Sequence, residues 1–284
     1  MVGLQLRGFC LALISVVCSS AMSLFVKLST SASIATLVFA RFALGVPFFL
    51  WIVKRNKIDL SWKKVPKNLT RSIAGILALY SYYFALHTLP LVNAITLSNT
   101  APLFMPILYL VWRQRLVSKR RILAVVVGFL GVLIILRPSA TEFFVLGSLF
   151  GLFSGLCRAV ALYNIRTLAK EVDTQTILTY YFFIGAALSF FPLFLDWKPI
   201  HSSLQWFYVF LAGAFALGFQ YFYTKTCAYL PSMKVASMNY LSVVFGGLLG
   251  WWILGEIPDQ FVLVGTLLII CGALIVLTES LKKP

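Results

Sequence analysis

Arg158 stands inside an apolar run, 144–165, four residues after Ser154. At helical spacing the two share a face. An ionised side chain at membrane depth is costly and is kept where it has a partner or a task. A guanidinium offers paired donors that fit a carboxylate or a phosphate. Arg158 therefore has two readings: an anion holder in a cavity, or a lock that satisfies backbone carbonyls between helices. Arg41, a third of the way along the run 34–53, reads as a lock. Lys27, near the end of the first run, is expected to extend its amine to the membrane–water interface.

The acids point the same way. Asp59, Glu142, Glu171, Asp173, Asp196, Glu256, Asp259 and Glu279 all fall in loops or at run ends. Proton-coupled carriers commonly use buried carboxylates or histidines, and here only His87 approaches that position. A permanent cation would meet no buried counter-charge. The inventory favours an anionic or zwitterionic solute moved by uniport or exchange, with a coupling ion held by carbonyls still open.

Polar side chains recur at helical spacing. Tyr80, Tyr83 and His87 form one stripe, with Tyr221 and Thr224 at matching places in the second half. Asn93, Thr96 and Thr100 form another, with Asn99 on a different face, and Asn239, Ser242 and Gly246 a third. Small and polar residues also bond membrane helices to one another, so each stripe reads equally as pore or as packing. The candidate solute contacts are Arg158, Ser154, Ser15, Ser19, Tyr80, Tyr83, Asn99, Tyr163, Tyr221 and Asn239. The aromatic content of 15% suits a stacking pocket, while Trp51, Trp112, Trp251 and Trp252 lie near run ends as an interfacial belt.

The elements that must position these residues follow from composition. Of 284 residues 61% are hydrophobic and 11% charged, against about 25% charged in a soluble domain. Spanning helices need about 17–25 apolar residues, and ten runs qualify: 6–27, 34–53, 71–88, 92–112, 121–137, 144–165, 176–195, 204–224, 235–254 and 260–278. The expected class is an all-α polytopic membrane protein whose partners are the lipid bilayer and a small-molecule metabolite. The first run, after Arg7, has a signal-peptide look but is expected to be a retained helix. Five cysteines without metal-like spacing read as packing residues.

The formal charge of +16 would suit nucleic acid, but its placement argues against that partner. Nineteen Lys and Arg fall in loops on the side of the N-terminus, including Arg71 and Arg115, and two, Arg137 and Lys198, on the other side. That bias places both termini in the cytoplasm, in the inner membrane of a bacterial cell. A monomer or homodimer without cofactor or metal is expected. No nucleophile–base pair or phosphate loop supports an enzyme, and no selectivity loop supports a channel. A non-transporting scaffold stays open.

An offset of 141 residues lays Leu89-Pro90 on Leu230-Pro231, Tyr80 on Tyr221 and Gly131 on Gly272. An offset of 139 lays Ser15 on Ser154 and Cys18 on Cys157. Both pair runs one to five with runs six to ten. Five spans per half is odd, so residues 138–284 must enter the membrane inverted relative to residues 1–137. Arg115 after the fourth run and its mate Glu256 after the ninth fit opposite sides. Exchange of conformation between like halves opens a central site to each side in turn.

Ala228-Tyr229-Leu230-Pro231, Leu254-Gly255-Glu256, Gly265 with Leu267-Leu268-Ile269 and Gly272, and in the first half Leu89-Pro90, Ala101-Pro102-Leu103 and Gly128–Ile135, together resemble the ten-helix EamA-type branch of the drug/metabolite transporter superfamily. Arg41 without a basic counterpart in the seventh run also fits. Arg115 in place of the usual glycine–glutamate pair, and Ser242-Val243 where a proline is common, depart from it. The resemblance implies a ten-helix basket with a cavity lined mainly by runs 1, 3, 4, 6, 8 and 9. It implies a non-ATP transporter and is almost silent on substrate; an amino acid or derivative is expected because its carboxylate suits Arg158 and its size such a cavity. S-adenosylmethionine enters because Arg41-Phe42 and the short loops loosely resemble its uptake proteins. Export of drugs or toxic metabolites is the alternative.

Overall fold

The computed structural model describes residues 2–58, 65–113, 119–136, 142–169, 171–230, 235 and 238–282. Arg115, Arg137 and Pro231 lie outside the described residues, and with them the expected Arg115–Glu256 correspondence. In lipid every backbone polar group needs an internal partner, and the described chain is helical almost throughout. Its helices are α1 Val2–Leu28, α2 Ile34–Asn56, α3 Val65–Thr88, α4 Leu91–Ser98, α5 Ala101–Arg113, α6 Lys119–Leu136, α7 Glu142–Leu168, α8 Thr174–Leu195, α9 Ser203–Tyr229, α10 Leu241–Leu254 and α11 Gln260–Lys282. Six segments are long and apolar enough to cross a membrane, and three shorter apolar helices lie within α6, α10 and α11. Counting α4 and α5 as one broken span gives five spans in each half.

Local signals explain several boundaries. Ser33 caps α2, its hydroxyl accepting from Thr36 N at 3.1 Å. Gly255 ends α10 at φ 68°, a left-handed conformation that glycine adopts without strain. That turn brings Glu256 back, its N–H bonded to Gly250 O at 3.0 Å.

The helices pack chiefly across the two halves. α1 lies against α9 and its counterpart α7 against α3, α2 against α8, and α6 against α11. Water-driven burial does not hold helices together in lipid, so small residues that admit close approach matter most. A Cβ added to Gly131 would meet Gly265 O at 2.5 Å, and one on Gly265 would meet Gly131 O at 2.7 Å. At the symmetry-related place a Cβ on Gly272 would meet Ala124 O at 2.6 Å. The 141-residue offset that aligns Gly131 with Gly272 also aligns Ala124 with Gly265, so the α6–α11 seam repeats itself about a pseudo-twofold axis.

Three expectations need correction or sharpening. The run 92–112 is two helices, broken at Asn99-Thr100, and the ninth span starts its regular helix at Leu241, after a turn at Asn239-Tyr240. Lys27, partly exposed near the end of α1, is tied to a partner there. Its amine pairs with Glu256 Oε1 at 2.7 Å and donates to Leu89 O. Arg71 is no loop residue, for it lies inside α3 and is 2% exposed.

Candidate functional site

The two helix breaks meet. Asn99 follows α4, and Asn239, 140 residues later, precedes α10. Asn99 Nδ2 donates to Asn239 O at 3.2 Å and to Ser242 Oγ at 2.8 Å, and its Oδ1 accepts from Arg158 Nη1 at 3.3 Å. Broken helices at matching places in two inverted repeats are where transporters build their sites, because the freed backbone groups there must face protein or a cavity. The N-terminus of α5 follows at once, and Ala101 and Pro102 line the cavity.

Three arginines converge on that cavity. Arg158, from α7, sets its guanidinium 4.7 Å from the centre of the Tyr82 ring while bonded to Asn99. Tyr82 in turn shares a hydrogen bond with Ser23 Oγ at 2.6 Å, which ties α3 to α1. Arg41, from α2, donates from Nη2 to Gln220 Oε1 at 3.1 Å and points Nη1 at Met22 Sδ at 3.3 Å. It also interacts with Tyr83 and Tyr181. So Arg41 does lock α2 to α1 and α9, as a sequence reading expects, and it also reaches the cavity. Arg71, from α3, stacks its guanidinium 3.5 Å over the Tyr181 ring. No acidic side chain lines this cavity among the described residues.

The space open to the centre of a water-sized sphere is about 70 Å³. One water needs roughly 10–15 Å³ on that measure, so this closed form holds a few waters. The lining residues Arg71, Gly75, Ile165 and Tyr223 lie toward the membrane side on which α1 begins. At the opposite end Glu256 Oε2 accepts from Leu91 N at 2.6 Å, at the start of α4, while Oε1 holds Lys27. An acid at a helix N-terminus is favoured by the helix dipole.

Of the expected contacts, the structure brings Arg158, Asn99 and Asn239 together at the cavity. Tyr83 is fully buried against Arg41. Ser154 Oγ bonds Ala78 O at 2.9 Å and Ser98 Oγ at 3.2 Å, a helix-joining arrangement. Ser15 Oγ returns to Ala12 O at 2.7 Å, and Ser19 is buried in α1 with its carbonyl accepting from Ser23. Tyr80 faces a separate lateral pocket with Phe84, Phe150 and Pro192. Tyr163 packs on Trp112, ring centres 4.9 Å apart, and Tyr221 on Phe48 at 6.3 Å. The stripe of Tyr80, Tyr83 and His87 therefore faces several surroundings. Arg71, Tyr82, Tyr181, Gln220 and Tyr223 carry the site without having been singled out. Of the expected cavity-lining runs, the first adds no wall, whereas α2 and α8 add Arg41 and Tyr181.

Comparison with known proteins bears on the whole chain. The sequence pattern of the EamA-like transporter family matches residues 6–137 and 145–278. A pseudopaline exporter of Pseudomonas aeruginosa is similar at 28% identity over 94% of each chain. An S-adenosylmethionine uptake transporter of Rickettsia prowazekii is similar at 24%, over 98% of this chain and 95% of that one. A riboflavin transporter of Vibrio cholerae is similar at 23%, over 87% and 84%. One solved crystal structure superposes over 99% of each chain with a TM-score of 0.66 at 17% identity, a likeness of fold.

Proposed function

The chain belongs to the EamA-like transporter family, an integral membrane transporter, and from that premise we propose that it carries a small anionic or zwitterionic metabolite by alternating access, with the solute's carboxylate held at Arg158. The observation that carries this reading is the Arg158–Asn99 pair at the junction of the two broken spans. There a guanidinium faces a cavity without a described acid. A carboxylate entering the site would accept the donors that Arg158 keeps free of Asn99. Asn99, Asn239 and Tyr223 supply polar atoms for an amino group.

Amino acids and their derivatives are the leading class. S-adenosylmethionine, carried inward by one relative, is itself an amino-acid derivative. Export is the second reading, favoured by the pseudopaline exporter with its match over 94% of both chains. The bond network around Glu256 supports a state closed at the end where α1 finishes. Loop charge makes that end the outer one, with both termini cytoplasmic.

The test is ligand stabilisation of purified protein by a panel of L-amino acids. Loss of a charge-assisted hydrogen bond costs about 1.5–3 kcal/mol, roughly tenfold or more in affinity. A folded Arg158→Ala variant should lose at least that for every stabilising acid. Unchanged affinity would remove Arg158 from the site.

A further inference from the structure

Arg71 has no task in the account so far. It sits two turns into α3, is 2% exposed, and buries Nε and Nη1 without a hydrogen-bond partner. It is nonetheless a cavity-lining residue. Stacking on Tyr181 and a side-chain hydrogen-bond interaction with it offset part of the desolvation but leave Nε and Nη1 without a partner. Arg41 lies within electrostatic reach of both Arg71 and Arg158, and its charge repels each of them. Arg41 is held by Gln220, Met22 and the nearby tyrosines, and Arg158 by Asn99 and Tyr82. An uncompensated buried charge is strongly unfavourable. One carboxylate at Arg158 would still leave Arg71 unpaired.

We propose that the transported solute carries two acidic groups, one held at Arg158 and the second at Arg71. This rests on the reading of Arg158 given above and narrows its substrate class to diacids. Arg71 bends toward Gly75, where Nη1 comes within 3.5 Å of the place a Cβ would occupy. The absence of a side chain at Gly75 makes room there for the guanidinium and for the Tyr181 ring stacked on it, which a Cβ would meet at 2.9 Å. Arg158 stands at the level of Tyr82, eleven residues after Arg71 along α3, a rise of about 16 Å. Side chains tilt toward the helix N-terminus, which carries the Tyr82 ring and Arg158 toward Arg71. The two acids are therefore joined by a carbon spacer, with the solute lying along α3.

The experiment uses thermal unfolding of the purified full-length protein. The probes are the straight-chain diacids from succinate to suberate, their monomethyl half-esters, and glycerol phosphate. At least one diacid should bind ten or more times tighter than its half-ester. Arg71→Gln should bring that diacid down to the half-ester's affinity while leaving half-ester binding in place, and Arg71→Lys should restore part of the preference. Equal binding of diacid and half-ester by the wild type overturns the inference without needing a variant. Half-ester binding that still depends on Arg158 would then leave the reading of Arg158 standing. A diacid preference that survives Arg71→Gln also overturns it. Glycerol phosphate matching the best diacid with the same dependence on Arg71 would show one phosphoryl group spanning the arginines, and sinks the two-acid form. If none of the probes stabilises the wild type, the two-acid inference falls, while Arg158-dependent stabilisation by a monocarboxylate L-amino acid would leave the reading of Arg158 standing.

Discussion

Asn99 does three jobs with one amide. It accepts from Arg158 and donates to Asn239 O and Ser242 Oγ. Its carbonyl oxygen occupies part of the place a solute carboxylate would take. Asn99→Asp would put a resident carboxylate beside Arg158. The new pair with Arg158 is offset by loss of the bond donated to Asn239 O, and the expected outcome is affinity for acids reduced tenfold or more, read by the same unfolding assay. Undiminished acid binding would separate Arg158 from the solute. Arg158 is legible in the sequence because a charge inside a long apolar run has few innocent explanations. Arg71 is not, because it stands at the edge of its run beside Lys63, Lys64 and Lys67 and reads as one more loop charge. Burial by Tyr181 is a tertiary fact. The choice of Tyr82 over Tyr80 and Tyr83 is equally hidden. Each residue turns the helix by about 100°, and only neighbouring helices decide which tyrosine faces inward.

Among the elements, the paired breaks and the paired seams do different work. The break at Asn99-Thr100 is followed by Pro102 in the first turn of α5, where a proline is tolerated because its N–H needs no helical partner. The run 92–112 reads as continuous although the sequence carries a start signal there. The α6–α11 seam was written in Ala124 and Gly131 and their mates Gly265 and Gly272, small residues whose spacing repeats between the halves. Gly131→Val would press a side chain onto Gly265 O, 2.5 Å from the nearest Cβ position. Overpacking costs about 1–3 kcal/mol. The variant should unfold at lower temperature with the ligand preference of the remaining folded protein intact, and an unchanged Tm would refute close packing there. The Gly255-Glu256 turn has a conformational role. Glu256→Gln keeps the shape but weakens the bonds to Lys27 and Leu91 N. It should raise, severalfold, the rate at which a membrane-impermeant maleimide labels Asn93→Cys, a buried position beside Glu256. An unchanged rate would mean the pair is no latch.

At the scale of the molecule, each half finds its main packing partners in the other: α1 on α9, α7 on α3, α2 on α8, α6 on α11. Neither half is shaped to rest alone, and a shift of one against the other moves the walls of the cavity between them. That is the physical content of alternating access in an inverted repeat. The ten spans and their division in two were legible from hydropathy and offset. The interlocking of the halves was not, since the sequence orders the helices without saying which touch. A C-terminal reporter should be active in the cytoplasm, as the loop charges require, and activity confined to the external side would invert the assignment of the Glu256 end as outer. The most direct measurement is counterflow in proteoliposomes of the acid that most raises the Tm. The account requires saturable uptake of label, accelerated by unlabelled acid on the opposite side and abolished by Arg158→Ala. Flux that rises linearly with concentration, shows no acceleration from the opposite side and survives that substitution would contradict it.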